Sequence, residues 1–371
     1  MSRSYYLLAV AAAAAAVLGT ATAGRGDDLK TVVRGAAEDC AKWMKGERQK
    51  ALALGSVTGP DTFPTSGGPI IRDQLERELP AQGVTVKLVA TVGLRVKYLF
   101  REVPDAKDRK HLRPAVDLVF TFTDGAGVEL ERFERRVTDP ASVRLILGLS
   151  VDTTTVILDD VKADEATVTS FRDPKAALDG TVALSGPDST FGIEIVRNKV
   201  GVPLADRDGL AFANLARDDQ FDVRLVNRSN TEMAVKLAID GLSVFHFTDV
   251  RIADGPRKGE PRYSMVLVKP KDSVVVPGWH KTNALFERFK ITEYAKSGAG
   301  LVNRDDARVG TITASFAAAW VKAPPADEPP LKKSPTDAVG FGCPVPGTTV
   351  PVERTVGAER ATVSVRYEVA K

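Results

Sequence analysis

Residues 221–239, FDVRLVNRSNTEMAVKLAI, constrain this chain more than any other stretch. Phe221, Val223 and Leu225 alternate with Asp222 and Arg224; Met233, Val235, Leu237 and Ile239 alternate with Glu232, Ala234, Lys236 and Ala238. Successive strand side chains point to opposite faces, so each arm buries one face and wets the other. Polar residues join the arms and Asp240-Gly241 follows, which predicts an antiparallel hairpin. Similar short runs around Ile193 and Ile195, over 210–215, 243–247, 263–268, 273–276, 286–292 and 309–320 recur at about ten-residue spacing. They predict a β-sandwich domain over 191–321. The Pro-rich stretch KAPPADEPPLKKSPTD, 322–337, reads as an extended surface connection. Residues 338–371 return as strands, with Val363, Val365, Tyr367 and Val369 alternating, and are expected to dock on the sandwich because an exposed alternating strand aggregates.

The preceding half reads differently. Leu29, Val32, Val33, Ala36, Ala37, Cys40, Ala41 and Met44 form one helical stripe over 28–45. Residues 50–57 read as a buried strand. Thr65-Ser66-Gly67-Gly68-Pro69 opens a second helix that should stop before Pro80. Glycines before a helix invite a phosphate-site reading, but the Gly-Lys-Ser/Thr ending is missing. One or two strands follow over 84–103, then alternating strands over 115–123 and 128–137 joined at Asp124-Gly125, a hairpin signal. Asp139-Pro140 starts a short helix. The 109–113 run Arg-Lys-His-Leu-Arg reads as a solvated connection. Residues 151–190 read as a connector, with short strands at Val156, Ile157, Leu158 and Val168, and with Asp159-Asp160 and Asp164-Glu165 solvated rather than binding calcium. The expected class is α+β, an N-terminal α/β sandwich domain over 24–150 followed by an antiparallel β-sandwich domain.

Residues 1–23 have the form of a signal peptide: Arg3, an apolar run over 7–18, and Ala21-Thr22-Ala23 as the cleavage site, with the cut near Ala23. That run is too short to span a bilayer, and no later stretch is long enough, so an exported, periplasmic or extracellular protein without a transmembrane segment is expected. The first cysteine, Cys40, lies far from the cut, so no lipid anchor is expected. Lys plus Arg number 51 against 48 Asp plus Glu, a balance that calls for neither nucleic acid nor an anionic membrane surface. The two cysteines permit one disulfide, Cys40 to Cys343; the alternative is a buried free thiol, since Cys40 lies on the apolar helix face.

The runs LALGSVTGP, TSGGPIIRDQLERELPAQGVTV and LVATVGLRVKYLF resemble the small α/β domain of the curli-transport and penicillin-binding-protein-activator lipoproteins and of the amino-terminal part of the Tol-Pal propeller protein. The resemblance covers roughly residues 28–150. It implies a binding and assembly module of the bacterial envelope, with no catalytic residues to carry over; the lipid-attachment cysteine of the lipoproteins is missing here. FDVRLVN with AVKLAIDGLSVF resembles a β-sandwich module of uncharacterised bacterial exported proteins that share the DG-x-x-V turn. That resemblance implies a fold and no chemistry.

The catalytic inventory is thin. Histidine occurs only at His111, His246 and His280, and neither His-Glu-x-x-His nor Cys-x-x-Cys occurs, so the common zinc spacings are absent. A hydrolase would have to draw on Asp240, Ser243, His246 or His280, and the turn at Ser243 lacks the closing glycine of a nucleophile elbow. The most distinctive short stretch is Pro277-Gly278-Trp279-His280-Lys281-Thr282-Asn283. Trp279 beside His280 and Asn283 would suit a glycan or peptide platform, an aromatic face with hydrogen-bonding neighbours. The other reading is that Trp279 plugs the sandwich edge while His280 and Asn283 fix a turn. No cofactor is called for. The expected function is non-enzymatic binding to an envelope protein or glycan.

Overall fold

In a computed structural model the chain is described at residues 27–60, 63–65, 67–105, 108–255, 257–293, 296–302, 310–330, 339–342 and 349–369. The signal segment and Cys343 lie outside these residues. The protein is mixed α+β and mostly sheet, with sheets of five, eight and ten strands among the described residues.

Helix α1, Leu29–Gly46, starts where Asp28 accepts a hydrogen bond from the Thr31 amide at 2.7 Å, and it buries the stripe from Leu29 to Met44. Helix α2, Gly67–Ala81, runs one residue beyond Pro80. Pro80 sits in the last turn, where its missing N–H costs a single backbone bond. Gly67 and Gly68 are both buried. The Gly67 amide donates to the Tyr98 hydroxyl at 3.1 Å, and a Cβ at Gly67 would lie 2.6 Å from the Ile146 carbonyl oxygen. The glycine therefore permits close approach to helix α3, Pro140–Leu147, and its amide is already bonded. The first sheet has the spatial order Thr85–Lys87, Ala51–Thr58, Gly93–Pro104, Leu112–Thr123, Glu129–Val137; the first three strands are parallel and the last two add antiparallel. The hairpin expected at Asp124-Gly125 forms. Leu52, Leu94, Val96, Tyr98, Leu118, Phe120 and Phe122 turn one face of this sheet into a core shared with α1, α2 and α3, and Trp43 stacks on Phe122 at 3.9 Å.

The expected connector over 151–190 holds a helix. Helix α4, Asp160–Arg172, is capped by Asp159, and the expected strand near Val156 is a 3-10 turn, Thr154–Val156. The side chains α4 buries are Ala163, Asp164 and Thr167, so it has no apolar stripe to read. Asp164 is fully buried, with His111 Nε2 at 3.1 Å and Arg113 Nε at 3.6 Å. The basic run over 109–113 is thus partly docked and supplies the counter-charge to a buried carboxylate.

The two arms over 221–239 form strands on the expected residues, but they do not pair with each other. Gln220–Asn227 pairs with Phe191–Arg197, Asp272–Val276 and Leu285–Lys290 in the second sheet, whereas Met233–Ile239 pairs with Thr311–Trp320, Val266–Val268 and Leu242–Ser243 in the third. Their apolar faces, Val223 and Leu225 from one and Val235 and Leu237 from the other, belong to one hydrophobic cluster. The chain between them crosses from sheet to sheet around Asn227, which is fully buried. Its Nδ2 donates to the carbonyls of Thr231, Val268 and Lys269 at 2.8, 3.2 and 2.9 Å, and its Oδ1 accepts from the Ser229 amide and hydroxyl.

The third sheet is not wholly antiparallel: Leu210–Leu215 runs parallel to Thr355–Val369, and Val266–Val268 parallel to Val339–Gly342. Thr355–Val369 is an interior strand between Leu210–Leu215 and Thr311–Trp320, and it also pairs with Val151–Asp152 at the first core. Part of the Pro-rich stretch is anchored as well: Asp327 and Glu328 form ion pairs with the buried Arg360. At the seam between the cores, Arg366 donates to the carbonyls of Pro64 at 3.1 Å and Gly148 at 2.9 Å and lies over Phe63. Gly148 caps the C-terminus of α3, the negative end of its dipole. No helix among the described residues is long and apolar enough to cross a membrane.

Candidate functional site: the aromatic corner around Trp279 and His280

Gly278–Thr282 pairs with Leu285–Lys290, with Trp279 opposite Glu287 and His280 opposite Phe286. A Cβ at Gly278 would lie 2.0 Å from the Glu287 carbonyl oxygen, so this close pairing requires glycine. Adjacent strand residues face opposite ways, which separates the two candidate side chains.

Trp279 is half-buried between Phe247 and Phe289, edge-on to both at centroid distances of 5.1 and 5.4 Å. Gly298, at the start of the short helix α5, Gly298–Val302, leaves room for these rings: a Cβ there would be 2.9 Å from Phe247 and 3.3 Å from Trp279. The indole is therefore packed into an aromatic plug.

His280 is fully buried among Phe245, Tyr263 and Phe286, with ring centroids at 5.4, 5.4 and 5.2 Å. Its Nδ1 lies 2.9 Å from Thr248 Oγ1 and its Nε2 has no hydrogen-bond partner among the described residues. Thr248 Oγ1 also accepts from the Val250 amide and lies 3.2 Å from the Lys281 carbonyl oxygen. When the hydroxyl donates to that carbonyl, His280 donates through Nδ1–H and Nε2 keeps a bare lone pair. Burial in this apolar setting lowers the His280 pKa to about 4, so the ring is neutral at pH 7.

Asn283 is exposed at the turn; its carbonyl accepts from the Thr349 amide at 2.6 Å, and its side chain bonds the Tyr263 phenol. Trp279, His280 and Asn283 thus lie close in sequence without converging on one surface.

The residues considered for hydrolysis are engaged elsewhere. Asp240 stands in a left-handed turn at φ 51° and accepts from the Gly310 and Thr311 amides at 2.8 and 3.0 Å and from the Tyr367 hydroxyl at 2.5 Å. Burial raises its pKa. Ser243 accepts from the Phe245 amide at 3.3 Å. His246 Nδ1 is 3.4 Å from Asp73 of α2, and burial lowers its pKa. Cys40 is buried and forms no bridge among the described residues, and burial pushes its thiol pKa up to about 12; its candidate partner Cys343 lies outside the described residues.

Sequence reasoning missed the buried Asp164 with His111 and Arg113. The only signal was an acidic pair and a basic run some fifty residues apart, which a periodicity argument does not connect. Among the described residues no group of three His, Cys, Asp or Glu side chains is placed to hold a metal ion. Compared with protein-family models the chain finds no match, and compared with curated proteins it finds none either.

Proposed function

We propose that this chain is an exported, non-enzymatic envelope protein that works by binding other macromolecules. In this reading residues 1–23 direct export and residues 24–150 form an α/β domain of the envelope type. Residues 191–321, closed by the C-terminal strands, form a β-sandwich domain.

The observation that carries the reading is the use made of the reactive side chains. Each histidine is held by an internal partner: His111 by Asp164, His246 by Asp73 and His280 by Thr248. Asp240 is held by Tyr367. Groups spent on internal contacts leave recognition to the surfaces of a braced scaffold, with Arg366, Arg144–Glu359 and the Val151–Asp152 pairing tying the two cores.

Affinity capture of residues 24–371 from an envelope extract tests it. The expected result is a stoichiometric protein partner retained equally by the wild type and by Trp279→Phe. Turnover of an envelope substrate, abolished by one histidine substitution that leaves the melting temperature unchanged, would contradict it. Sugar retained by the wild type and lost in Trp279→Ala would move the function to the aromatic corner.

A further inference from the structure

The helices cover one face of the first sheet, and the other face carries a second surface that the assembly reading does not use. Leu94, Val96 and Tyr98 point into the core, while the intervening Arg95 and Lys97 are exposed. Lys87 stands in register with Ala53, and Ala53 in turn with Gly93, which places Lys87 two strands away at the level of Gly93, the end of this face from which Arg95 and then Lys97 follow. Cross-strand neighbours continue the face: Thr121 and Arg132 beside Arg95, Val119 and Glu134 beside Lys97, Asp117 and Arg136 beside Leu99. Asp117 is shared by Arg136 at 2.6 Å and Arg101 at 3.4 Å, and Glu129 pairs with Arg132 at 2.9 Å. Lys87, Arg95 and Lys97 have no ion-pair partner among the described residues. With Glu134 in the Lys97 row and Asp117 shared by two guanidiniums, the face keeps a net positive charge, the larger share of it at the Lys87 and Arg95 end.

Large apolar side chains are exposed at that same end. Leu88 and Val89 follow Lys87 directly and are 80% and 83% exposed. Gly93 is in register with Thr123, and Thr123 with Glu129, which brings the tip of the Asp124-Gly125 hairpin to the same edge with Val128 at 59% and Leu130 at 48% exposure. Two chain segments separated by two strands thus present four aliphatic side chains near three cations that form no ion pair among the described residues.

We propose that this end of the first sheet docks on an anionic lipid bilayer, with Leu88, Val89, Val128 and Leu130 entering the interface and Lys87, Arg95 and Lys97 meeting the lipid phosphates. Cations favour an anionic membrane surface and aliphatic side chains gain by leaving water at the acyl boundary. A soluble polyanion would need only the charges, and single-stranded nucleic acid would want aromatic stacking platforms, which the residues of this face do not supply. The proposal is independent of the assembly reading, because a membrane-docked scaffold holds with or without a protein partner.

Co-sedimentation of residues 24–371 with vesicles of phosphatidylcholine and phosphatidylglycerol, against phosphatidylcholine alone, tests it. The expected result is salt-sensitive binding to the anionic vesicles only. The triple variant Lys87→Glu, Arg95→Glu, Lys97→Glu is expected to lose at least about five-fold in partitioning per cation removed. Leu88→Asp with Val89→Asp is expected to lose at least about ten-fold. Leu112→Asp, an exposed apolar residue at the opposite end of the sheet, is expected to change nothing. No binding to anionic vesicles at low salt, or binding undiminished in Leu88→Asp with Val89→Asp, would overturn the proposal. Dextran sulfate bound as tightly by that double variant as by wild type, with no vesicle binding, would assign the face to a soluble polyanion instead.

Discussion

The first sheet and the pair of sheets that follow bury their apolar faces in different ways. In the first, helices α1, α2 and α3 cover a single sheet face, and the strands that pair are mostly neighbours in the chain. In the second, two sheets meet across one cluster, and partners come from far apart, as when Leu210–Leu215 lies beside Thr355–Val369. Where a strand's partner follows at once through a tight turn, local pattern identifies the pair. Where the next strand faces the first across a core, the same alternation appears and the pairing cannot be read from it.

The largest effects sharpen this comparison. Phe120→Ala in the first core and Phe316→Ala in the second should each cost about 3–5 kcal/mol, because both rings are fully buried. Denaturant unfolding should remain a single transition for both variants, since Arg366, Arg144 and Thr355–Val369 brace the cores together. Two resolved transitions would show that the cores unfold separately.

His280 tests the second core by pH. Its folded pKa, about 4, lies below the ordinary 6.5, so the folded state favours the neutral ring. The stability tied to it is fully present above pH 6.5 and is lost as pH falls towards 4, by on the order of 3 kcal/mol. His280→Phe should flatten this part of the stability curve between pH 7 and 4, measured by urea unfolding.

Asn227→Ala should cost about 1–3 kcal/mol, because it strips the shared donor from three carbonyls at the crossover between sheets. If that loss is absent, Asn227 does not shape the crossing. At the small end, Lys97→Ala on the bare face of the first sheet should change stability by no more than about 0.5 kcal/mol, as an exposed residue without an ion pair among the described residues.

The same contrast sets how much was legible in advance. The stripe of α1, the Asp139 cap of α3 and the Asp124-Gly125 hairpin were readable because each is settled within a few residues. Helix α4 was not, because its buried face is made of Ala163, Asp164 and Thr167, which only distant His111 and Arg113 make tolerable. The sheet change after Asn227 was hidden for a related reason: its amide bonds Val268 and Lys269, some forty residues on. At the aromatic corner, the residue types that suggested a platform are those that fill a core. Only the register of Gly278–Thr282 separates Trp279 from His280.

The most direct test of the sheet assignment is a set of interstrand nuclear Overhauser contacts from isotope-labelled protein. The fold described here predicts backbone contacts from Val235 and Leu237 to Phe316 and Ala314, and from Val223 and Leu225 to Ile195 and Ile193. It predicts no backbone pairing between the two arms. Backbone contacts joining Gln220–Asn227 directly to Met233–Ile239 would restore the hairpin and contradict the crossing of the chain at Asn227.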